Sequence, residues 1–386
     1  MYEIADLFDM RSAVGAKLES ILLERGFTKA GFCKAAGISR PTLDKLLSAG
    51  ITNETNYEKH ITKVLDGLKI SADMLMGNSP NRFNQTRLLK QLLRVDEKQL
   101  AECTGVSTAR LKEIEAGAKA EISELRDLAY ALRTGVRSLL GTNYFPPQIA
   151  RWEASLDRCS AGDELAENGF WGHMGILPSS SEKYLWYPIT GTTRSMVYSW
   201  LGHGYLVIPC MNNKVLLINT NNVDRIVLLD DGCSAPSSCT WDSSVDEGDV
   251  PPVVYESLSD YTYYEETKEK IPEKLISPNL CEVMASYVEK DDATSDALLS
   301  EEAVCRYVDG KTEQYNIDFG QEQSLSFEIS LIYELGDEAS DERFLFFHDN
   351  DGAENFLNKE KISILELPLF NIEETICKEQ EEELAE

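Results

Sequence analysis

No stretch of this 386-residue chain approaches the ~18 uninterrupted apolar residues that a membrane span requires. The first ten residues, MYEIADLFDM, are acidic where a secretory leader would be basic. Together these absences lead us to expect a cytoplasmic chain with no membrane partner. Cysteine pairs are missing too. Nine cysteines are scattered from Cys33 to Cys377 without one C-x-x-C, which suits a reducing compartment better than a disulfide framework or a zinc site. Histidine is scarce: His60, His173, His203 and His348 are the only four, and none stands at ligand spacing. There is no Walker loop, G-x-S-x-G, H-E-x-x-H or dinucleotide fingerprint. We therefore expect no metal, no cofactor and no enzymatic activity.

Basic charge is short in one half only. The formal net charge is -29, from 37 Lys+Arg and 66 Asp+Glu. Residues 1–150 hold 21 Lys+Arg and 18 Asp+Glu, a balance of +3, which leaves 16 against 48, or -32, for residues 151–386. Taken whole, such acidity argues against a nucleic-acid partner; its distribution keeps the N-terminal half in play.

The most informative stretch is Val95 to Gly117, VDEKQLAECTGVSTARLKEIEAG. Asp96 is placed to cap one helix and Ser107 the next, and Gly105 stands where the chain must turn between them. Leu100, Val106, Leu111 and Ile114 fall on one apolar face. Thr108, Ala109, Arg110 and Lys112 are left facing outward. Phe27 to Gly50, FTKAGFCKAAGISRPTLDKLLSAG, repeats the design with Thr28 as cap, Gly37-Ile38-Ser39 as turn and Pro41 in the first turn of the following helix.

Val95 to Gly117 resembles the XRE (Cro/C1-type) helix-turn-helix family, matching LA…G-V-S…I-E-x-G at Leu100, Ala101, Gly105, Val106, Ser107, Ile114, Glu115 and Gly117. The first copy departs from it at Gly31-Phe32 and at Leu47-Ser48-Ala49-Gly50. Past each motif, Tyr57 to Gly77 can be laid beside Leu125 to Gly141, so a tandem repeat over about 14–77 and 87–141 is expected, joined by Asn78 to Asn84. The resemblance implies double-stranded DNA as partner and either a dimer on an inverted repeat or one chain's two domains on adjacent half-sites. It also implies readers: Lys29, Ser39, Arg40, Thr42 and Lys45 in the first copy, Ser107, Thr108, Ala109, Arg110 and Lys112 in the second. Glu97, Glu113 and Glu115 would approach phosphates and oppose binding. The second copy thus has the better scaffold and the poorer DNA surface.

From Phe170 the texture changes to short apolar runs read as strands: Gly175 to Leu177, Tyr184 to Ile189, Ser195 to Trp200, Tyr205 to Pro209, Val215 to Ile218 and Val223 to Leu229. Strand texture resumes at Ala303 to Val308, Glu313 to Asp318, Leu325 to Leu335, Arg343 to His348 and Ile362 to Leu367. The last block reads either as a diverged copy of the first or as a similarity that strand alternation alone produces. Asn219-Thr220-Asn221-Asn222-Val223 matches Asn358-Lys359-Glu360-Lys361-Ile362, and Thr190-Gly191-Thr192 is set beside Asp309-Gly310-Lys311 as a hairpin turn. The terminal strands faintly resemble Sm-like or SH3-like barrels. Between the blocks, Asp230 to Lys274 offers an exposed loop, SAPSSCTWDSSVDEGDVPP, and Leu280 to Glu289 a short helix. Glu373 to Glu386 is an acidic helix or a disordered end.

The expected fold class is α+β multidomain. Two all-α five-helix helix-turn-helix domains, 1–80 and 81–145, precede small antiparallel β domains at 146–232 and 301–386, which flank an acidic, irregular 233–300. Trp171, Trp186, Tyr187, Trp200 and Tyr205 are better explained as core and rim packing than as a stacking surface, and Cys210 as a buried thiol. Two functions fit. One is a sequence-specific DNA-binding transcriptional regulator, a repressor in type, whose acidic half assembles or senses. The other is a protein-interaction component, antitoxin-like, defence-associated or mimicking DNA charge, whose helical half is scaffold and whose acidic half takes a basic protein partner.

Overall fold

The computed structural model describes residues 4, 6–24, 29–68, 72, 75, 95–115, 118–151, 169–233, 248–290, 302–319, 324–336 and 342–383. The fold is mixed α+β with several small antiparallel sheets, the class expected. Two compact units are present: Met1–Asn84 with Ile114–Lys119 and Leu140–Thr142, and Gln85–Glu113 with Ala120–Leu139 and Asn143–Glu386. No helix among the described residues is long and apolar enough to cross a membrane.

The first unit holds α1 (Asp6–Asp9), α2 (Arg11–Glu24), α3 (Lys29–Ala36), α4 (Arg40–Leu47) and α5 (Glu54–Leu68). Tyr57, Ile61, Val64, Leu65 and Leu68 recur at helical spacing along α5 and are buried against Phe32, Leu43, Leu46, Val14 and Leu18. α2 approaches α4 so closely that a Cβ on Gly15 would lie 2.3 Å from the Leu47 carbonyl oxygen. Thr28 and the linker Asn78 to Asn84 lie outside the described residues.

The second unit holds α6 (Glu97–Thr104) and α8 (Ile122–Ala131) and most of α7 (Thr108–Glu115) and α9 (Val136–Leu140). Residues 233–300, expected to be irregular apart from a short helix at Leu280 to Glu289, contain that helix as α12 (Pro278–Lys290) and a second, unexpected one, α11 (Pro252–Thr267). Their apolar residues Val254, Leu258, Tyr261, Ile276, Leu280 and Met284 form one buried cluster against which Tyr130 packs. The Ser, Asp and Tyr content of 252–267 hid the α11 part of that cluster. Arg126, 7 % exposed, ties α8 to this pair through Asp260 at 2.6 Å and the carbonyls of Glu256 and Leu275 at 3.2 Å. Most of the loop expected after Cys233, residues 234–247, lies outside the described residues.

Ten strands follow among the described residues: β1 (Phe170–Pro178), β2 (Leu185–Thr190), β3 (Tyr205–Cys210), β4 (Lys214–Asn219), β5 (Val223–Asp230), β6 (Glu302–Tyr307), β7 (Thr312–Asn316), β8 (Phe344–His348), β9 (Glu354–Asn358) and β10 (Ile362–Pro368). Their orders are β2-β1-β5, β3-β4-β10-β6-β7 and β8-β9. The two strand blocks are therefore not separate: β10 lies between β4 and β6 in one sheet. Alternation assigns the faces of that sheet. Val207, Val215, Leu217, Leu365 and Leu367 bury into a cluster with Leu325, Ile329, Ile332, Ile372 and Ile376. Leu206, Ile208, Leu216, Ile218 and Ile364 bury into the opposite one with Met174, Ile176 and Val197.

Two expected strands are helices. Ser195 to Trp200 belongs to α10 (Gly191–Trp200), and Leu325 to Leu335 to α13 (Ser324–Leu335). Thr190 accepts the Thr193 N–H at 3.0 Å, so Thr190-Gly191-Thr192 is a helix cap and not a hairpin turn. In α13, Leu325, Ile329 and Ile332 are buried at helical spacing, while Phe327 and Leu335 are 60 % and 66 % exposed. Glu373 to Glu383 continues α14 (Leu369–Glu383), the helical alternative for the tail.

With those corrections the element order repeats. β1-β2-α10-β3-β4-β5 is matched by β6-β7-α13-β8-β9-β10, and each last strand follows a 3₁₀ turn whose asparagine, Asn219 or Asn358, accepts the N–H two residues on at 3.1 Å. Pairing repeats as well: β1 lies between β2 and β5, and β6 between β7 and β10. The order favours a diverged copy over alternation alone. The true counterpart of the Asp309-Gly310-Lys311 turn is the β1–β2 connection.

Candidate nucleic-acid interface

α4 is held by Leu43 and Leu46, both fully buried. Its approach is made by Gly37 at φ +62° and by Ser39, whose Oγ accepts the Thr42 N–H at 3.3 Å and shares a hydrogen bond with Thr42 Oγ1 at 2.7 Å. With one face anchored, the other presents Arg40, Pro41, Asp44 and Lys45 to solvent. Lys29, at the start of α3, pairs with Asp44 at 3.0 Å with both side chains over 40 % exposed, a contact worth ~0–1 kcal/mol and exchangeable for a phosphate. Arg40 and Lys45 form no ion pair among the described residues. Ser39 and Thr42, expected as readers, are engaged with each other and act first as the cap.

The second pair of helices repeats the backbone. Asp96 accepts the Lys98 N–H at 2.9 Å, Gly105 turns at φ +72°, Ser107 Oγ accepts the Arg110 N–H at 3.2 Å, and Leu111 is buried. Thr108, Ala109 and Lys112 are exposed, as expected.

Arg110 is a correction. Its Nε and one terminal nitrogen reach the two oxygens of Glu124 at 2.8 and 2.9 Å, and the other terminal nitrogen reaches Glu113 at 3.1 Å. The guanidinium fork matches a carboxylate bidentately, so this cation is committed to structure rather than left outward for a base. The Arg110 hydrogen bond holds the Glu124 carboxyl below its usual range, against the opposing effect of burial. Lys112 faces Glu97 at 3.6 Å. Glu124 was not among the acids singled out from the sequence. Its signal was local: it also accepts the Glu121 N–H at 2.9 Å as the far member of a capping box.

The aromatic set of the β region splits as packing requires. Trp186 and Tyr187 are buried, and Trp171, Trp200 and Tyr205 pack against the two sheet cores. Tyr187 donates to Glu366 at 2.8 Å, and Arg306 reaches the same carboxylate at 3.0 Å beside Lys214. Burial works against that charge, but Lys214 and Arg306 hold the carboxyl below its ordinary value. Cys210 is fully buried.

Comparison with known protein families, with curated proteins and with solved structures finds no match to this chain.

Proposed function

We propose that this chain is a DNA-binding regulator of the XRE-like helix-turn-helix type, with the first helical pair as its reader. The observation that carries this reading is the solvent face of α4, where Arg40 and Lys45 stand exposed without an ion pair among the described residues, on a helix fixed by Leu43, Leu46 and the Ser39 cap. A capped, anchored helix with cations on its open face suits the major groove: side chains reach base edges, and the basic groups neutralise phosphates. Arg40 and Lys45 are the assigned contacts, with Lys29 exchanging Asp44 for phosphate. In this reading the chain dimerises so that two copies of α4 meet successive half-sites.

Binding of the full chain to a random duplex library at low salt, with the bound sequences read out, tests this. Enrichment of an inverted repeat is the expected result. The absence of any binding at low salt, where the electrostatic contribution is largest, would sink the proposal.

A second reading rests on Arg110. With that side chain on Glu124 and Glu113, and Lys112 facing Glu97, the second helical pair offers a scaffold or protein-contact surface more readily than a DNA surface. Co-purification of a basic protein partner, with no nucleic acid in the preparation, would favour the interaction component over the regulator.

A further inference from the structure

The second unit contains a cavity of about 490 Å³ of empty space, counted with its open mouth. It lies where α9, residues 143–148, the end of β3, the first turns of α11 and the start of α14 converge. Phe145, Met211, Tyr255 and Leu369 supply apolar wall. Its polar lining is unbalanced toward acceptors. Glu256, from α11, sets both carboxylate oxygens 3.1–3.2 Å from the Val136 N–H. Glu373, from α14, accepts the Phe145 N–H at 3.0 Å. Among the described residues Arg137 is the one cation in the lining, set against these two carboxylates.

Gln148 supplies an independent observation. It is 6 % exposed, lines the cavity and donates Nε2 to the Pro146 carbonyl at 2.9 Å, while its Oε1 is buried with no hydrogen-bond partner among the described residues. A buried acceptor left unmatched costs ~1–3 kcal/mol, so a donor brought to this place is stabilised. The site is also shaped for its acids: a Cβ on Gly135 would stand 2.4 Å from Glu256 Oε1. Burial pushes the Glu256 carboxyl up and raises that of Glu373 to about 7, with the Arg137 charge opposing both changes. Glu256 is also opposed by the Val136 N–H and the Arg126 charge, and Glu373 by the Phe145 N–H, so burial is what disfavours both charged forms.

We propose that this cavity binds a small organic cation, an amine, amidine or guanidine on an apolar body, with its charged head toward Glu256 and Glu373 and an N–H donated to Gln148 Oε1. Three demands meet in such a ligand: cationic charge for two buried carboxylates, a donor for one unmatched oxygen, and apolar surface for Phe145 and Leu369. An anion would meet two carboxylates and one guanidinium, and a neutral apolar molecule would leave the Gln148 oxygen unmatched. The site lies wholly within the second unit, and its occupancy is read without DNA, so its failure is distinct from failure of the DNA-binding reading.

The test is calorimetric titration of the full chain at pH 8 with benzamidine, against benzamide and benzoate as neutral and anionic probes of the same shape. Benzamidine should bind and raise the melting temperature, benzamide should bind more weakly, and benzoate should not bind. Glu373→Gln should weaken benzamidine about tenfold, and Gln148→Met, which keeps the volume and removes the acceptor, should weaken it severalfold. Melting curves show that each variant is folded, and Gln148→Met carries the test where Glu373→Gln is not. Benzoate binding as tightly as benzamidine, no benzamidine binding at ~1 mM, or unchanged affinity in the folded variants would each overturn the proposal.

Discussion

The two helical pairs share a backbone and differ in what their cations touch. Both turn at a left-handed glycine, Gly37 at φ +62° and Gly105 at φ +72°, and both start the following helix on a serine whose Oγ takes an N–H three residues on. On that common frame the first pair leaves Arg40 and Lys45 in solvent and, among the described residues, pairs Lys29 with an acid. The second commits Arg110 to two carboxylates and sets Lys112 against a third. Its α8 is also fastened through Arg126 and Asp127 to α11 and α12. The difference teaches that a helix-turn-helix pattern reports the scaffold and is silent about the surface. Buried Leu, capping Ser and turning Gly are needed whatever the outer face does.

The largest expected effect breaks this symmetry directly. Arg40→Ala combined with Lys45→Ala should lower affinity for duplex DNA about 100-fold at low salt and reduce the slope of log K against log salt by about 2. Arg110→Ala should leave both nearly unchanged. Fluorescence anisotropy across a salt series measures both. Equal losses from the two variants would show that the copies read DNA alike, contrary to the assignment above.

Next in size is a difference in pH response. Glu373 and Asp127, both in the second unit, have carboxyls raised by burial, to about 7 and about 6. Around Glu373 the charged groups are Arg137 from α9 and Glu256 from α11, and Asp127 accepts the Ser277 hydroxyl at 2.6 Å. A carboxyl whose pKa is higher in the folded state binds more protons folded than unfolded. Its stabilising effect is complete below its ordinary value and is lost as pH rises through the folded value. The second unit should therefore lose stability as pH rises from about 4.5 to about 7. Each tenfold difference in proton affinity between the folded and unfolded chain is worth about 1.4 kcal/mol. Glu373→Gln should flatten that dependence in calorimetric scans. A slope unchanged by the substitution would assign the effect elsewhere.

What was legible in the sequence follows the range over which each signal acts. Gly37, Ser39, Asp96, Gly105 and Ser107 were readable because a cap or a turn is made within three residues. α10 and α13 were misread because a buried pair four apart, such as Leu325 and Ile329, satisfies a strand's period of two as well as a helix's turn. The insertion of β10 between β4 and β6 joins residues about 150 positions apart, as Lys214 and Glu366 show, and no local pattern carries it. Of the candidate site, the backbone frame was readable and the pairing of Arg110 with Glu124 was not. Those two stand fourteen positions apart, and they meet only once α8 has packed back on α6 beside the start of α7. The acids of the cavity left no trace of their own, since Glu256 and Glu373 stand in mixed stretches, VVYESL and LFNIEETI, beside other polar residues.

Glycine replacements sharpen the claim that the two turns are one construction. A Cβ on Gly37 meets nothing within 4 Å, and on Gly105 only Asn279 Nδ2 at 3.8 Å. Steric crowding is thus absent from both, and the cost of Ala should be that of the left-handed backbone, ~1 kcal/mol in each. Asn, which tolerates positive φ better, should cost less at both positions. Chemical denaturation of Gly37→Ala and Gly105→Ala measures the pair. A cost more than about twice as large at one than at the other would mean that the turns are supported differently.

The smallest expected effect runs the comparison backwards. If the second pair fails to bind DNA because its cations are paired, then releasing Arg110 should restore part of the function. Glu113→Gln with Glu124→Gln removes both partner charges while keeping acceptor oxygens, including the one that takes the Glu121 N–H. The change raises the local charge by two and removes the two carboxylate charges that hold the guanidinium away from a phosphate or a base edge. One additional phosphate contact steepens the salt slope by ~0.9, so a severalfold gain in affinity at low salt is expected. The gain should persist in the Arg40→Ala, Lys45→Ala background, because it comes from the other copy. A steeper slope only when Arg40 and Lys45 are present would mean that lowered general repulsion, and not Arg110, explains the gain. No change in either background would show that the second surface is unsuited to DNA by shape as well as by charge, and would leave it as scaffold.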